Sequence, residues 1–244
     1  MAINTDRVLN TLNRAQVELT KSMSRISSGV AVQKPSDDPL AYAQSMGVTA
    51  TISRNSVQMN ALEAQNTKLS GYENTAMSLN ESLVEVQDLI IQAQGPAVQG
   101  NDLSNIAKVI ASQLENTTAR TTELVSAGQM TQAQADAIQA VVKAPLDSLL
   151  AGQKPNTTQR ADLANAMEDN LVYVTKLGGQ QRANTQTIAH LGNQNTIHEG
   201  YRSELIDTDM AAESIRFNAL NTQISATYAT IAKVGSQSLF DYIG

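Results

Sequence analysis

The 244-residue chain has no cysteine and no tryptophan, two phenylalanines, two histidines and five prolines, and only 3% of its residues are aromatic. Without cysteine there is no disulfide scaffold, no thiolate metal site and no cysteine nucleophile. Two histidines put most zinc and triad arrangements out of reach. So few aromatic residues argue against a β-sandwich or barrel, whose strands favour aromatic and β-branched side chains. No run approaches the roughly 18 apolar residues of a membrane span, and the opening MAINTDRVLN lacks the apolar core of a cleavable signal. A net charge of −6 argues against nucleic acid as a partner. What is present is 41% hydrophobic residues, chiefly Leu, Ile, Val, Met and Ala, enough for a sizeable core of packed helices. The expectation is an all-α protein with a structural rather than a catalytic role.

Hydrophobic spacing sharpens this. Leu9, Leu12, Leu19, Met23 and Ile26 fall on one alternating 3/4 seam, with Gln16 its single polar member. Gly29 is a natural left-handed stop. After the turn-rich loop VAVQKPSDDP, with Pro35 inside it, Asp38 and Pro39 read as an N-cap and a first-turn proline. From about Leu40 to Gln94, Leu62, Leu69, Ala76, Leu83 and Ile90 recur every seven residues, as do Tyr72, Leu79, Val86 and Ala93. Gly95-Pro96 ends that helix. In the middle, Leu103, Ile106, Ile110 and Leu114 mark a helical face, Gly128 breaks it, and Thr131 caps a further helix through Val142. Pro145 is predicted to kink or interrupt the chain before Leu149. A second long helix carries Leu163, Met167, Val174, Leu177, Ile188 and Leu191, with Asn170, Gln181 and Asn184 in the gaps of its seam. Gly178-Gly179 is predicted to weaken it locally. Asp207-Thr208-Asp209 suits a cap, and the last helix carries Phe217, Leu220, Ile224, Ile231 and Val234 before ending in Leu239-Phe240.

The plan is nearly symmetric about its centre, and five segments follow: 1–39, a terminal helix and hinge; 40–100, a long helix; 101–159, a central helical insert; 160–203, a return helix; 204–244, the closing helix. The predicted fold is a long antiparallel coiled-coil-like bundle with paired N- and C-terminal helices and little or no β-structure. Isolated helices of roughly 20 residues with narrow stripes are marginal in water, so both ends are expected to gain order on meeting each other and neighbouring subunits.

No constellation for catalysis emerges. His190 and His198 lie eight apart, not at the i, i+4 spacing of metal ligands, and read as solvated. Asp37 and Asp38 read as turn and cap rather than as an acid/base pair. Gly178-Gly179-Gln180 lacks the strand context of a phosphate loop, and Ser24, Ser27 and Ser28 have no activating partner. No cofactor is implied.

Several stretches resemble the bacterial flagellin superfamily, which includes filament subunits and hook–filament junction proteins. Ser22–Gly29 (SMSRISSG) resembles its helix-ending motif, Pro35–Leu40 (PSDDPL) the turn opening its long helix, and Leu83–Ala93 (LVEVQDLIIQA) its signature segment. Glu204–Ala211 (ELIDTDMA) and Ser238–Ile243 (SLFDYI) match at the other end, so the likeness spans roughly 1–125 and 160–244. SDDP and SLFDYI look more like the junction protein; the opening MAINT and RISSG look more like the filament subunit, which is the preferred reading. The centre departs from the family, reading as helix over about 130–150 where relatives carry a β-hairpin and often outer β-domains.

The resemblance implies an extracellular structural subunit. It would leave the cell unfolded through the flagellar type III export apparatus, without a cleaved signal, and assemble with itself into a helical homopolymer with hook-associated proteins at its ends. It would not bind nucleic acid or insert in a membrane. A cytoplasmic export chaperone would cover the C-terminal helix at Phe217, Leu220, Ile224 and Ile231. The assembly surface would comprise Leu9, Leu12, Leu19, Met23, Ile26, Phe217, Leu220, Ile224, Ile231, Val234, Leu239 and Phe240. Gly29, Pro35, Asp38, Pro39, Asp207 and Asp209 would form the hinges. Relatives recognised by the innate flagellin receptor carry Arg in the signature segment, where this chain has Glu85 and Gln87, so weak recognition is expected. Sugars on the threonines of 117–122 and 157–158 are the family-style modification to consider. A soluble coiled-coil adaptor is the competing class.

Overall fold

The computed structural model describes the backbone of residues 5–243 and the side chains of residues 7–233. Among the described residues there are six helices: α1 (Thr5–Ser28), α2 (Pro39–Gln94), α3 (Asn101–Ser126), α4 (Gln132–Leu150), α5 (Thr157–Ile206) and α6 (Met210–Ile243). Among the described residues the one extended pairing is an isolated antiparallel bridge between Val30 and Asp207. The fold is all-α, as the composition and periodicity imply.

The chain divides into two compact units, one of residues 1–56 and 192–244, the other of residues 57–191. The second unit has a core drawn from four helices. The heptad positions Leu79, Leu83, Val86 and Ile90 of α2 are completely buried. They pack with Leu103, Ile106 and Ile110 of α3, Val142 and Leu149 of α4, and Leu163 of α5. Met167 and Val174 are half-buried against the same cluster. Leu69, Leu177 and Leu191 are buried, while Leu62 and Ile188 are half-buried. Each fully buried Leu, Ile or Val side chain favours folding by about 1.5–3 kcal/mol, so this unit holds most of the hydrophobic stabilisation.

The polar gaps in the α5 seam have partners. In the second unit the Asn184 side-chain amide donates to Asn66 Oδ1 at 2.9 Å, Gln181 to Glu73 Oε2 at 2.8 Å, and Asn170 to the Ala76 carbonyl at 2.8 Å. Residue numbers rise on α2 as they fall on α5, which is the antiparallel register. Such directional pairs select one register where apolar contacts alone tolerate several.

The α3–α4 turn follows its local chemistry. Gly128 adopts φ 67°, a left-handed conformation costly for any residue with a Cβ. Thr131 and Gln134 then form a reciprocal capping box, with distances of 3.3 and 3.0 Å. One expectation fails here. Pro145 does not interrupt α4: the helix continues to Leu150 with Pro145 buried inside it. The lost N–H bond is outweighed by the burial of its neighbours Val142, Leu146 and Leu149. The Gly178-Gly179 pair leaves α5 continuous, anchored by the buried Leu177 immediately before it.

Candidate assembly site: the paired terminal helices and their linkers

The first unit joins the two ends of the chain. α1 and α6 pack antiparallel around Leu12, Ala15 and Ile224, with Leu19 and Ile231 against them. Along α1 the residues turned inward are Leu12, Ala15, Leu19 and Ser22, again a 3/4 alternation. Ala15 and Ser22 thus take the places that the sequence pattern assigned to Gln16 and Met23. Their small side chains let the helices approach closely, whereas Met23 is 64% exposed and Leu9 45% exposed. Ile26, Phe217 and Leu220 are half-buried. The side chains of Val234, Leu239 and Phe240 lie outside the described residues.

The rim of the pair is polar. Gln16 donates to the Tyr228 hydroxyl at 2.9 Å. Arg216 bridges to Glu18 at 2.7 Å and Lys21 to the same carboxylate at 3.2 Å. The hydrogen bond and charge of Lys21 hold the Glu18 carboxyl below the usual carboxylate range; burial opposes them, and the charges of Arg216 and Arg25 add smaller contributions in the same direction as Lys21. This is an exposed arrangement that salt screens. The pair is not sealed: a groove of about 400 Å³ runs between Arg7, Val8 and Thr11 on α1 and Gln223, Ala226, Thr227 and Thr230 on α6.

The two linkers, which the sequence shows only as separate turn-rich hinges, are bonded to each other. Gly29 turns at φ 71° to end α1, and its carbonyl accepts from Thr208 N–H at 2.8 Å. Ala31 N–H donates to the Ile206 carbonyl at 2.7 Å, and the Arg25 guanidinium closes back on the Ala31 carbonyl at 3.2 Å. Asp37 holds the Pro35 turn by accepting from Gln33 and Lys34 N–H at 3.2 and 3.0 Å. Asp38 caps α2, accepting from Leu40 and Ala41 N–H at 3.0 and 2.9 Å, with Pro39 opening the helix. Asp209 caps α6, accepting from Ala211 and Ala212 N–H, both at 3.0 Å. Asp207, expected to share that capping role, instead pairs with Ser203 and the Val30 bridge. No local pattern announces a contact between segments some 175 residues apart, which is why the sequence missed it.

Other candidates fall elsewhere. Among the described residues no group of three His, Asp or Glu side chains could hold a metal ion, and none of the described helices is long and apolar enough to cross a membrane. Of the threonines in 117–122, Thr117 and Thr121 are completely buried, so modification there is excluded in the folded chain; Thr118 and Thr122 are exposed, as are Thr157 and Thr158. Glu85 is exposed and accepts from the Gln113 amide at 2.6 Å.

The fold and this site define an all-α bundle protein whose first and last helices pair with one another through mutually bonded linkers. Two family descriptions coincide with those regions: the bacterial flagellin N-terminal helical region matches residues 2–124, and the bacterial flagellin C-terminal helical region matches residues 161–243. The chain belongs to the bacterial flagellin family, a family of structural proteins. No individual curated protein matches it, so the assignment rests on these two regions.

Proposed function

We propose that the chain is a subunit of the flagellar filament, exported and polymerised outside the cell. The observation that carries this reading is the state of the terminal pair. Its seam is thin, its groove is open, and it leaves Leu9, Val17, Met23 and Ile215 largely in water. Further copies would cover such surfaces by repeated head-to-tail contact, which grows an open helical polymer rather than a closed ring. Leu9, Met23, Ile26, Phe217 and Leu220 are the described residues that would meet neighbours, with Leu12, Leu19, Ile224 and Ile231 holding the pair itself. Hook-associated proteins would occupy the ends of the polymer.

Export follows the same logic. The amphipathic face of α6 would polymerise prematurely unless a cytoplasmic chaperone covered it before passage through the type III apparatus. Glu85 and Gln87 in the signature segment favour weak activation of the innate flagellin receptor. A second reading, the hook–filament junction protein, draws support from the Ser36-Asp37-Asp38-Pro39 turn and the Ser238–Ile243 ending.

Seeded polymerisation of purified monomer, followed by light scattering and negative-stain microscopy, tests the proposal. Long filaments that grow from short seeds, and fail to grow when residues 210–244 are deleted, are expected. A single added layer on hook ends would move the protein to the junction class. A stable monomer that does neither would favour a soluble coiled-coil adaptor.

A further inference from the structure

The end of α5 is completed by chain from outside it. Ile206 is its last residue, and the carbonyl there has no partner within the helix. It accepts instead from Ala31 N–H at 2.7 Å and from Val32 N–H at 3.3 Å. The exchange is reciprocal, because the carbonyl of Gly29, directly after α1, accepts from Thr208 N–H at 2.8 Å. All three donors therefore find their partners in the other linker. Val30 and Asp207 face each other between these bonds, as the close, non-hydrogen-bonded pair of an antiparallel ladder does.

Each linker is also tied to its own helix. On the α1 side the Arg25 guanidinium donates to the Ala31 carbonyl at 3.2 Å, the Gln33 amide to the Ser28 hydroxyl at 2.7 Å, and the Ser24 hydroxyl to the Gln33 side-chain oxygen at 3.0 Å. On the other side Asp207 N–H donates to the Ser203 carbonyl at 2.9 Å, and the Ser203 hydroxyl to the Asp207 carboxylate. Asp209, the residue after Thr208, caps α6. A displacement of either linker is thus passed to the helix ends on both sides. Closing one of the bonds between linkers brings the others within reach, so they form and break as a unit.

We infer that the two linkers act as one clasp rather than as two independent hinges, so that the end of α1 and the start of α6 order together and release together. Whichever end of an exported chain leads, the clasp stays open until the other linker has followed. That consequence rests on the export reading; the clasp itself does not.

The chain has no cysteine, so Val30→Cys combined with Asp207→Cys introduces a single cross-link with no competing thiol. Residues facing each other in such a pair have Cα atoms about 4.5 Å apart, within the range that a disulfide spans. Oxidation of the folded monomer is expected to close it. Amide hydrogen exchange should then slow about tenfold in residues 22–28 and in residues 210–217 alike, relative to the reduced protein, with residues 79–90 unchanged. Thr208→Pro, which removes the N–H bonded to Gly29, should do the opposite and speed exchange in both segments, although it alters one linker only. Asp209→Ala is the control: it removes the α6 cap without touching a bond between the linkers, and its effect should stay within α6. Circular dichroism confirms that each variant is folded. The proposal would be overturned by a cross-link that does not close in the folded chain, by a change confined to one helix in the cross-linked or Thr208→Pro protein, or by an α1 response to Asp209→Ala as large as that to Thr208→Pro. None of these measurements requires polymerisation, so failure of the filament reading would show separately, as absence of growth from seeds.

Discussion

The core of residues 57–191 draws its apolar residues from four helices, whereas the small cluster that joins the two chain ends is drawn from α1 and α6. Leu79, Leu83, Val86 and Ile90 are removed from water entirely, whereas the terminal pair buries Leu12, Ala15 and Ile224 and leaves Met23 64% exposed. The same amino-acid types at the same heptad spacing therefore meet different fates. A helix surrounded on several sides can bury a broad face, while a helix with one partner buries a stripe. The first arrangement completes a fold; the second leaves surface for further copies.

Substitutions can sharpen or break this contrast, beginning with the largest effect. Leu83→Ala should destabilise the four-helix unit by about 3 kcal/mol, because the surrounding side chains of three other helices cannot all collapse into the space. Thermal unfolding monitored by circular dichroism checks it. Leu12→Ala, in the two-helix seam, should cost less, about 1–2 kcal/mol, since an open site relaxes more readily. Its clearer signature should be loss of seeded growth with the main thermal transition unmoved. If Leu12→Ala lowers that transition as far as Leu83→Ala does, the contrast between the units is wrong.

Smaller effects lie in the linkers. Asp209→Ala removes the acceptor for two N–H groups at the start of α6 and should cost about 1 kcal/mol. Amide hydrogen exchange should show it as faster opening confined to α6. Gly29→Ala forces a Cβ into φ 71° and should cost a similar ~1 kcal/mol, although nothing would touch that Cβ. The smallest effect is electrostatic. The Glu18 carboxyl is held below its unfolded value of about 4.3. Its stabilising contribution is therefore present above that pH and is lost as pH falls through the lower folded value. The α1–α6 pair should loosen slightly below about pH 4, less so in high salt, and Glu18→Gln should abolish that part of the acid dependence.

Much of the architecture could be read without coordinates. The heptads of α2, the stop at Gly29, the cap at Asp38 and the capping box at Thr131 depend on residues within one or two turns of each other, so local chemistry suffices to find them. Tertiary packing overrode one local rule: Pro145 sits inside α4 because its neighbours are buried. Within the α1–α6 pair the seam runs through Ala15 and Ser22 rather than Gln16 and Met23 for a related reason. Hydrophobicity favours Met23 over Ser22, yet close helix packing favours the smaller residue. The polar gaps at Asn170, Gln181 and Asn184 were visible, but their partners Ala76, Glu73 and Asn66 were not.

The amino-acid sequence by itself determined that this chain is helical, where several of its helices start and stop, and which faces are apolar. Those properties follow from backbone conformation and side-chain periodicity over a few residues. Only the tertiary structure decided which helices share a core and that the linker at Gly29–Val32 bonds to the one at Ile206–Thr208. Each of these joins residues far apart along the chain. Such contacts depend on how whole helices orient, and no local spacing encodes that.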